Sequence, residues 1–387
     1  MRKTCPGLTR RNFLNACAAW PVAGAAARPV SAAAPAAARV SVARCTDYGP
    51  ALKPALGAMF DQLGGLGRLV RGRTVSIKIN LTGYPTTRLG NTPAEHAQYT
   101  HPAVIGATVR LMGEAGARRI RIVEGCFSSD EPLAEFMLQL GWDPSRLLNA
   151  APRVEMENTN TLGRGRRYAR FTTPGGGLVF PGFDLNQAYE QCDVMVSLGK
   201  LKEHATCGVT LSMKNMFGAT PLTIYGDHAG RDEPDENGVQ GGRGTIMHSG
   251  LRQPARSAPQ ERDPSSPRDD RWRMPRIVAD LSAARPVHLA IIDGIHTMAG
   301  GEGPWSRGDL RPVRPGLLVA GLNAVSTDAV AAACMGFDPR AARGTAPFEG
   351  CDNTLLLAEQ LGAGTADLGK IEVAGAAVRD AVFRFRG

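Results

Sequence analysis

The segment from Cys192 to Gly218 carries the densest set of residues that could do chemistry. Its apolar run Val194–Leu198 predicts a buried strand, and that strand leads directly into Lys200, Lys202 and His204. Residues two apart in extended backbone share a face, so these three nitrogen-bearing side chains are expected on one side of the strand's exit. The segment continues to Cys207, Lys214 and Asn215. This set predicts a site for an anion, a carboxylate substrate or a cofactor rather than part of a hydrophobic core.

Polar residues also end three further predicted strands. They are Lys78 and Asn80 at the second strand, Glu124 at the third, and Asp293 at a later one. In an open parallel sheet, ligands bind at the carboxyl ends of the strands. Each residue alone has a structural explanation, since Asp293 could cap a turn and Asn80 could bond its own loop. Four such strand ends at one edge favour a shared site, in which Asn80, Glu124 and Asp293 would orient the charged groups.

His101 is placed for chemistry by the predicted start of a helix. The sequence Thr100-His-Pro102 indicates a helix N-terminus, because proline is favoured at the first helical position. His101 is then expected to face the strand ends, where it and His204 would serve as metal ligands or as general acid and base. Cys207 is the third candidate metal ligand. A purely structural capping role is the alternative for His101.

The common catalytic and cofactor motifs are missing from the sequence. There is no GxSxG elbow and no HExxH pair, so no standard hydrolase is signalled. There is no CxxC pair, so neither a zinc ribbon nor an intrinsic iron–sulfur cluster is indicated. The glycine-rich run 298–304 could surround an anion with backbone amides, but it matches neither the P-loop nor GxGxxG. A surface turn is the alternative for that run.

Predicted strands alternate with predicted helices along the chain. The strands are expected at 39–43, 75–79, 120–123, 194–198, 287–292 and 317–320, and the helices at 52–66, 100–112, 132–140, 274–283 and 326–335. This order predicts an α/β fold with a mostly parallel sheet and helices on both faces. Residues 227–273 are polar and rich in glycine and proline, which predicts a long flexible insertion or lid. The basic segment 162–174 is expected to be a hairpin or a surface loop.

The N-terminus has the pattern of a twin-arginine signal. Arg10 and Arg11 precede Asn12-Phe-Leu14 and a small-residue stretch with A-x-A-like cleavage sites. We expect a signal peptide at 1–34 and an α/β domain at 35–387, exported by the twin-arginine machinery to the periplasm or another extracytoplasmic space. A basic disordered tail is the alternative. No later stretch approaches the roughly 18 apolar residues of a membrane helix, so no stable membrane span is expected.

The charge of the chain argues against a nucleic-acid partner. The formal net charge is +9, but residues 1–34 contribute five basic residues and no acidic one. Without them 40 basic residues stand against 36 acidic ones, a charge of +4. This surplus is too small to indicate nucleic-acid binding, and basic residues interleaved with aromatics are missing.

Several motifs follow one another along the chain: Ile77-Lys-Ile-Asn-Leu81, Thr100-His-Pro102, the Gly-Lys-Leu-Lys-Glu-His to Met-Lys-Asn-Met-Phe-Gly run at 199–218, Ile292-Asp-Gly-Ile295, and Val325-Ser-Thr-Asp-Ala-Val330 with Met335-Gly-Phe-Asp-Pro339. Together they resemble the domain-of-unknown-function family 362, DUF362, over roughly residues 70–375. Members commonly carry twin-arginine signals or pair with iron–sulfur modules, and their activity is not established. The resemblance therefore implies a fold and a site more than a reaction. The chain lacks the cysteine-rich cluster segment of some relatives.

A more distant pattern is similar to nickel-pincer lactate racemases. His204 and Lys214 frame Gly208-Val-Thr210 with a spacing of ten residues, although Leu211-Ser-Met213 replaces a double glycine. The likeness implies that Lys214 anchors a nickel cofactor while nearby histidines serve the metal and proton transfer.

Together these features predict an exported metal- or cofactor-dependent enzyme, an isomerase or oxidoreductase, acting on a small anionic substrate. The cofactor would contain nickel or iron. His101, His204 and Lys214 would be catalytic, and the substrate or cofactor would contact Lys78, Asn80, Glu124, Lys200, Lys202, Asn215 and Asp293. The alternatives are a non-catalytic periplasmic binding protein for a solute or metal, and a lysine–histidine cluster that only stabilises a loop or an interface.

Overall fold

The computed structural model describes residues 38–386, which form strands and helices. The strands are β1 (Ala38–Arg44), β2 (Thr74–Lys78), β3 (Arg119–Glu124), β4 (Val154–Asn158), β5 (Tyr168–Thr172), β6 (Gly182–Asn186), β7 (Val194–Lys200), β8 (Glu203–His204), β9 (Gly208–Val209), β10 (Leu289–Gly294), β11 (Thr297–Ala299), β12 (Arg311–Val313), β13 (Leu317–Gly321) and β14 (Ile371–Gly375). The helices are α1 (Leu52–Gln62), α2 (Leu66–Val70), α3 (Pro102–Glu114), α4 (Leu133–Gln139), α5 (Pro144–Leu148), α6 (Leu211–Met216), α7 (Leu222–Tyr225), α8 (Asp270–Ala284), α9 (Ala324–Cys334), α10 (Thr354–Gln360) and α11 (Val378–Ala381). The predicted signal at 1–34 lies outside the described residues.

Eight of these strands form one sheet in the order β14-β1-β13-β10-β7-β2-β3-β4. Neighbouring strands run parallel except at β13, which is antiparallel to both β1 and β10. The mostly parallel α/β sheet predicted from the sequence is thus confirmed. Strands β10, β7, β2, β3 and β4 all end at one edge, which we call the carboxyl edge.

The central strands are buried on both faces, so the sheet separates two hydrophobic cores. Alternate residues of β10 serve the two cores: Leu289 and Ile291 pack with α1 and α3, whereas Ala290 and Ile292 pack with α6, α8 and α9. The predicted helices therefore cover both faces. This alternation also decides on which side of the sheet each strand-end side chain emerges.

The boundaries differ from the predictions where glycines or weak apolar patterns intervene. The predicted helix 52–66 is two helices, because Gly64 and Gly65 adopt φ of +97° and +86° and end α1. The basic segment 162–174 contains β5, which pairs antiparallel with β6. The two outermost strands, β4 and β14, were missed, since glutamates interrupt their short apolar runs.

The polar insertion at 227–273 is tied to the body of the fold at its end. The helix predicted from residue 274 begins earlier, at Asp270, so the last residues of the insertion form the first turn of α8. Within that turn, Arg273 forms an ion pair of 2.6 Å with Glu261, and both side chains are fully buried. A short π-helical turn spans Gly244–His248.

Between Ala38 and Arg386, none of the helices combines the length and the apolar character that crossing a bilayer requires.

Helix α6, which carries Lys214, is held at its N-terminus by Asp328 of α9. The Asp328 carboxylate accepts hydrogen bonds from the backbone N–H groups of Ser212 and Met213, each at 2.8 Å. Asp328 is buried, so these two amides have no access to water in its place. Burial raises the pKa of Asp328 to about 8, although the two amides oppose this shift, so the hydrogen bonds rather than a full negative charge hold the helix start. The position of Lys214 thus depends on a residue more than 100 positions later in the chain.

Replacing Asp328 by alanine should lower the free energy of unfolding by about 2–4 kcal/mol, because two buried amides would lose their acceptor. Asp338→Ala is the matched control, since Asp338 is exposed and accepts from one amide, that of Arg340. We expect the control to lose about 1 kcal/mol or less. Urea denaturation measures both variants, and equal losses would contradict the assigned role of Asp328.

Candidate functional site

A cavity of about 790 Å³ opens at the carboxyl edge, between the ends of β2 and β3 and the loop that follows β7. Its volume lies in the range of sites that hold drug-sized molecules. Seven of the predicted site residues line it: Lys78, Asn80, Glu124, Lys202, His204, Lys214 and Asn215. The insertion and the glycine-rich run supply further polar residues to its wall: Asp227, Arg243, His248, Asp270, Arg271 and Glu302.

The floor of the cavity is a network centred on the buried ion pair between Lys78 and Glu124. Their charged atoms lie 2.6 Å apart, and Lys78 Nζ also donates to Asn215 Oδ1 at 3.0 Å. Burial lowers the pKa of Lys78, while Glu124 acts in the opposite direction. Asn80 Nδ2 donates to the same oxygen of Asn215, at 3.0 Å. Within residues 38–386, the buried Asn80 Oδ1 has no hydrogen-bond partner, so it can accept from a ligand.

Lys214 is the cavity lysine that the fold leaves most available. Its Nζ lies 4.1 Å from the centre of the Phe217 ring, in a cation–π contact. In the part of the chain that the structure describes, it makes no hydrogen bond and has no carboxylate oxygen within 4.0 Å. Burial lowers the pKa of Lys214 to about 8, with Arg243 and Lys78 adding to the effect and Cys207 and Glu302 opposing it. The amine therefore exchanges protons near neutral pH.

Lys202 and Arg243 are two further cavity cations without a carboxylate within 4.0 Å among the described residues. Lys202 is fully buried and donates to two backbone carbonyl oxygens, each at 2.8 Å. Arg243 donates to the carbonyl oxygen of Thr220 and to a side-chain oxygen at 3.1 Å. Burial lowers the pKa of Lys202 well below its usual value and that of Arg243 to about 10. The acids of the wall act on these two groups only from beyond 4.0 Å: Glu302 on Lys202, and Glu124 and Asp227 on Arg243.

Two imidazoles and one carboxylate surround Lys214. Burial and the charge of Lys214 lower the pKa of His204 and of His248 to about 3, so both rings are neutral near pH 7. His204 Nδ1 accepts from the Thr206 amide at 3.2 Å. Burial pushes the pKa of Glu302 up, but His204 and amide donors outweigh it and lower this pKa to about 2. The site thus holds proton acceptors beside an amine that can carry a proton.

Three predicted site residues form a separate cluster outside the cavity. Lys200 and Asp293 make an ion pair of 2.8 Å with both side chains fully buried. The Asp293 carboxylate also accepts from the Tyr48 hydroxyl at 3.1 Å and from the backbone N–H of His101 at 3.0 Å. The rings of Tyr48 and His101 are stacked, with centroids 3.5 Å apart. These contacts give all four groups a structural role.

The expectation that Lys200, Lys202 and His204 share one face is wrong, because β7 ends at Lys200. Lys200 continues the alternation of Val196 and Leu198, so it points towards the α1 and α3 side of the sheet. Lys202 lies in a loop beyond the strand, and His204 belongs to the separate pair β8–β9. Side chains alternate between the two faces of a sheet only within a strand. Beyond the end of β7 the chain turns into the cavity, so the rule no longer applies.

The three predicted metal ligands do not come together. His101 lies with Tyr48 and Asp293, whereas His204 lines the cavity. Cys207 is buried and is not part of the cavity wall. His101 Nδ1 accepts from the Ala103 amide at 3.1 Å, which is the helix-capping role. Across residues 38–386, no group of three His, Cys, Asp or Glu side chains is arranged to hold a metal ion.

Arg243, His248 and Glu302 are cavity residues that sequence reasoning missed. The first two lie in the insertion, whose polar, glycine-rich composition resembles disorder. Glu302 lies in the glycine-rich run 298–304, whose composition points to backbone amides rather than to a carboxylate. One compositional signal points to the site: only seven of the 45 basic residues are lysines, and four of these gather near the carboxyl edge.

Breaking the buried pair of Lys200 and Asp293 should cost far more than breaking an exposed pair. We expect Asp293→Ala to lower the free energy of unfolding by about 3–5 kcal/mol, because the Lys200 ammonium would stay buried without its partner. The double variant Lys200→Met/Asp293→Leu should recover most of this loss. Glu114→Ala, which breaks an exposed pair with Lys53, should cost about 1 kcal/mol or less. Denaturant titration measures the free energy of unfolding of all three variants. If Asp293→Ala does not lose the most, the structural role of the Lys200–Asp293 pair is contradicted.

Comparison with known proteins identifies the family. The model of the domain of unknown function DUF362 matches residues 75–333, which include the cavity residues described above. The thylakoid-associated protein sll1697 of Synechocystis sp. is 31% identical over 184 residues, or 47% of this chain and 50% of that protein. The chain thus spans about half the length of this curated relative. A crystal structure of a Thermotoga maritima protein is 16% identical, covers 44% of this chain and 37% of that one, and has a TM-score of 0.28. The chain belongs to the DUF362 family.

Proposed function

We propose that the protein binds an anionic organic molecule in the cavity at the carboxyl edge and acts on it as an enzyme. The observation that carries this proposal concerns the cavity cations that are not exposed: Lys202, Lys214 and Arg243 form no ion pair within 4.0 Å among residues 38–386. Cations removed from water are costly unless an opposite charge accompanies them. An anion that enters the cavity supplies that charge, so its binding stabilises both partners.

The surroundings of Lys214 support proton transfer rather than binding alone. With a pKa of about 8, roughly one Lys214 amine in ten is neutral at pH 7. A neutral lysine amine can act as a general base or as a nucleophile towards a carbonyl group. The neutral rings of His204 and His248 can accept a proton from the substrate or pass one on. These groups fit an isomerase that moves a proton on an organic acid; an oxidoreductase would also need an electron acceptor such as a redox cofactor.

The proposed function does not include the nickel or iron site that the sequence predicted. The described residues offer no cluster of three metal-ligating side chains, and the predicted ligands His101 and His204 lie in different surroundings. These residues do not fit a protein-held nickel or iron site, so we derive no step through either metal. The proposal rests on the lysines, Arg243 and the two cavity histidines.

An extracytoplasmic location belongs to the same proposal. The sequence pattern around Arg10 and Arg11 supports it, as does similarity to a protein described as thylakoid-associated. The partner would then be the twin-arginine export machinery.

Replacing Lys214 should separate binding from catalysis. We expect Lys214→Ala to abolish activity and to weaken anion binding at least tenfold. Lys214→Arg should keep the charge and much of the affinity but lose turnover, because arginine does not give up its proton near neutral pH. Lys370→Ala is the control, since this lysine is exposed. The measurement is thermal stabilisation by a panel of carboxylates and organophosphates, followed by turnover assays on those that bind.

The pH dependence of anion binding tests the proposed role of Lys214. The protonated amine attracts an anion, so affinity should fall as the pH rises through about 8, and the fall should disappear in Lys214→Arg. Binding that is unchanged in Lys214→Ala would refute the site. Binding that needs Lys214, with Lys214→Arg fully functional, would favour a binding protein over an enzyme.

Export can be tested with a conservative pair of substitutions. We expect Arg10→Lys/Arg11→Lys to leave an unprocessed precursor in the cytoplasm of a bacterial host, because both arginines define the signal. Arg28→Lys, in the same segment, should not change export. Immunoblotting of cytoplasmic and periplasmic fractions gives the answer, and normal periplasmic accumulation of the double variant would rule out this route.

A further inference from the structure

We infer that the ligand of the cavity carries a flat aromatic or heteroaromatic ring beside its anionic group. This inference rests on the proposed anion site and specifies the chemical class of its ligand. Its evidence is a different set of residues, the aromatic side chains Tyr84, Phe127 and Trp305 of the cavity wall.

Tyr84 and Trp305 are unusually exposed for large hydrophobic side chains. Their relative exposures are 50% and 45%, and both belong to the small group of exposed large hydrophobic residues within 38–386. Both line the cavity, although exposed residues of this size could lie anywhere on the surface. Phe127 packs edge-to-face with Tyr84 at a centroid distance of 4.9 Å. Exposed aromatic residues gathered at a cavity indicate a surface for ligand contact.

The Trp305 ring is held in place before any ligand arrives. Its indole N–H donates to Glu302 Oε1 at 3.2 Å, and the other carboxylate oxygen of Glu302 accepts from the Ala205 amide at 3.1 Å. The ring also lies against two glycines, since a Cβ on Gly83 or Gly303 would fall within 2.4 Å of a ring carbon. Gly83 has φ of +92°, which disfavours any replacement by a side-chain residue. A fixed aromatic surface costs little entropy on binding.

The size and charge of the cavity agree with such a ligand. A volume of about 790 Å³ exceeds what a small carboxylate needs, so a site of this size has room for a ring system as well. Lys214 and Arg243 would contact the acid group, while Trp305 and Tyr84 would contact the ring. Stacking of a ring on aromatic side chains contributes about 1–3 kcal/mol where it has been measured for nucleobases.

Matched pairs of probes test the ring directly by isothermal titration calorimetry on the purified, processed protein. The first pair is 2-naphthoate and its saturated counterpart decalin-2-carboxylate, and the second is adenosine monophosphate and ribose 5-phosphate. We expect the aromatic member of at least one pair to bind about tenfold more tightly than its partner. The first pair responding alone indicates an aromatic carboxylate, and the second alone indicates a nucleotide-like molecule.

Substitutions test whether Trp305 causes the preference for the aromatic probes. Trp305→Leu should remove the tenfold preference by weakening the aromatic probe alone, whereas Leu251→Ala should change nothing, since Leu251 is 76% exposed and outside the cavity. Circular dichroism and the melting temperature check that Trp305→Leu is folded, and Tyr84→Leu provides a second variant.

Equal affinities within both pairs, or no aromatic probe binding below about 1 mM, would overturn the inference. Binding to the Lys214→Ala variant distinguishes a failure of the aromatic-ring inference from a failure of the proposed function. If saturated anions bind as tightly as aromatic ones and the binding of all of them depends on Lys214, the inferred aromatic ring is refuted and the proposed anion site is retained. If no probe depends on Lys214, the proposed function fails as well.

Discussion

Burial of positive charge at the carboxyl edge is the constraint on which the rest of the site depends. An ammonium or guanidinium group taken out of water needs hydrogen bonds and an opposite charge. The fold answers this need in two ways. Lys78 and Lys200 each receive a buried carboxylate, from Glu124 and Asp293. Lys202, Lys214 and Arg243 line a cavity that is open to ligands and form no ion pair within 4.0 Å among the described residues, so an anionic ligand can complete their charge balance.

The direction in which each strand residue points determines on which face of the sheet its charged group lies. Lys78 lies on the same face as Ser76 and therefore meets Asn215 of α6 across the floor of the cavity. Lys200 points to the opposite face and meets Asp293 beneath the start of α3. One structural pair thus supports the cavity from within, while the other fixes the neighbouring strands β7 and β10 and the helix start at His101. Asp328 extends the same logic, because a buried acid from α9 fixes the helix that carries Lys214.

Much of the fold could be predicted because its signals are local. Buried runs such as Val194–Leu198 have few interpretations, and Pro102 marks a helix start reliably. The gathering of Lys78, Glu124 and Lys202 followed from the rule that parallel strands share a carboxyl edge. What could not be predicted depends on tertiary contacts. Whether Lys200 meets Asp293 or a ligand is decided by partners far away in the chain, and Arg243 reaches the cavity from a segment with no regular pattern.

The pKa of Lys214 is the measurement to make first, since burial in the absence of an ion pair within 4.0 Å sets it below the value of an ordinary lysine. With seven lysines in the whole chain, reductive ¹³C-methylation gives a spectrum simple enough to assign with the Lys214→Arg variant. We expect Lys214 to titrate near pH 8 and a bound organic anion to raise this pKa. Titration near the 10.4 of an ordinary solvated lysine, with no response to any anion, would contradict it.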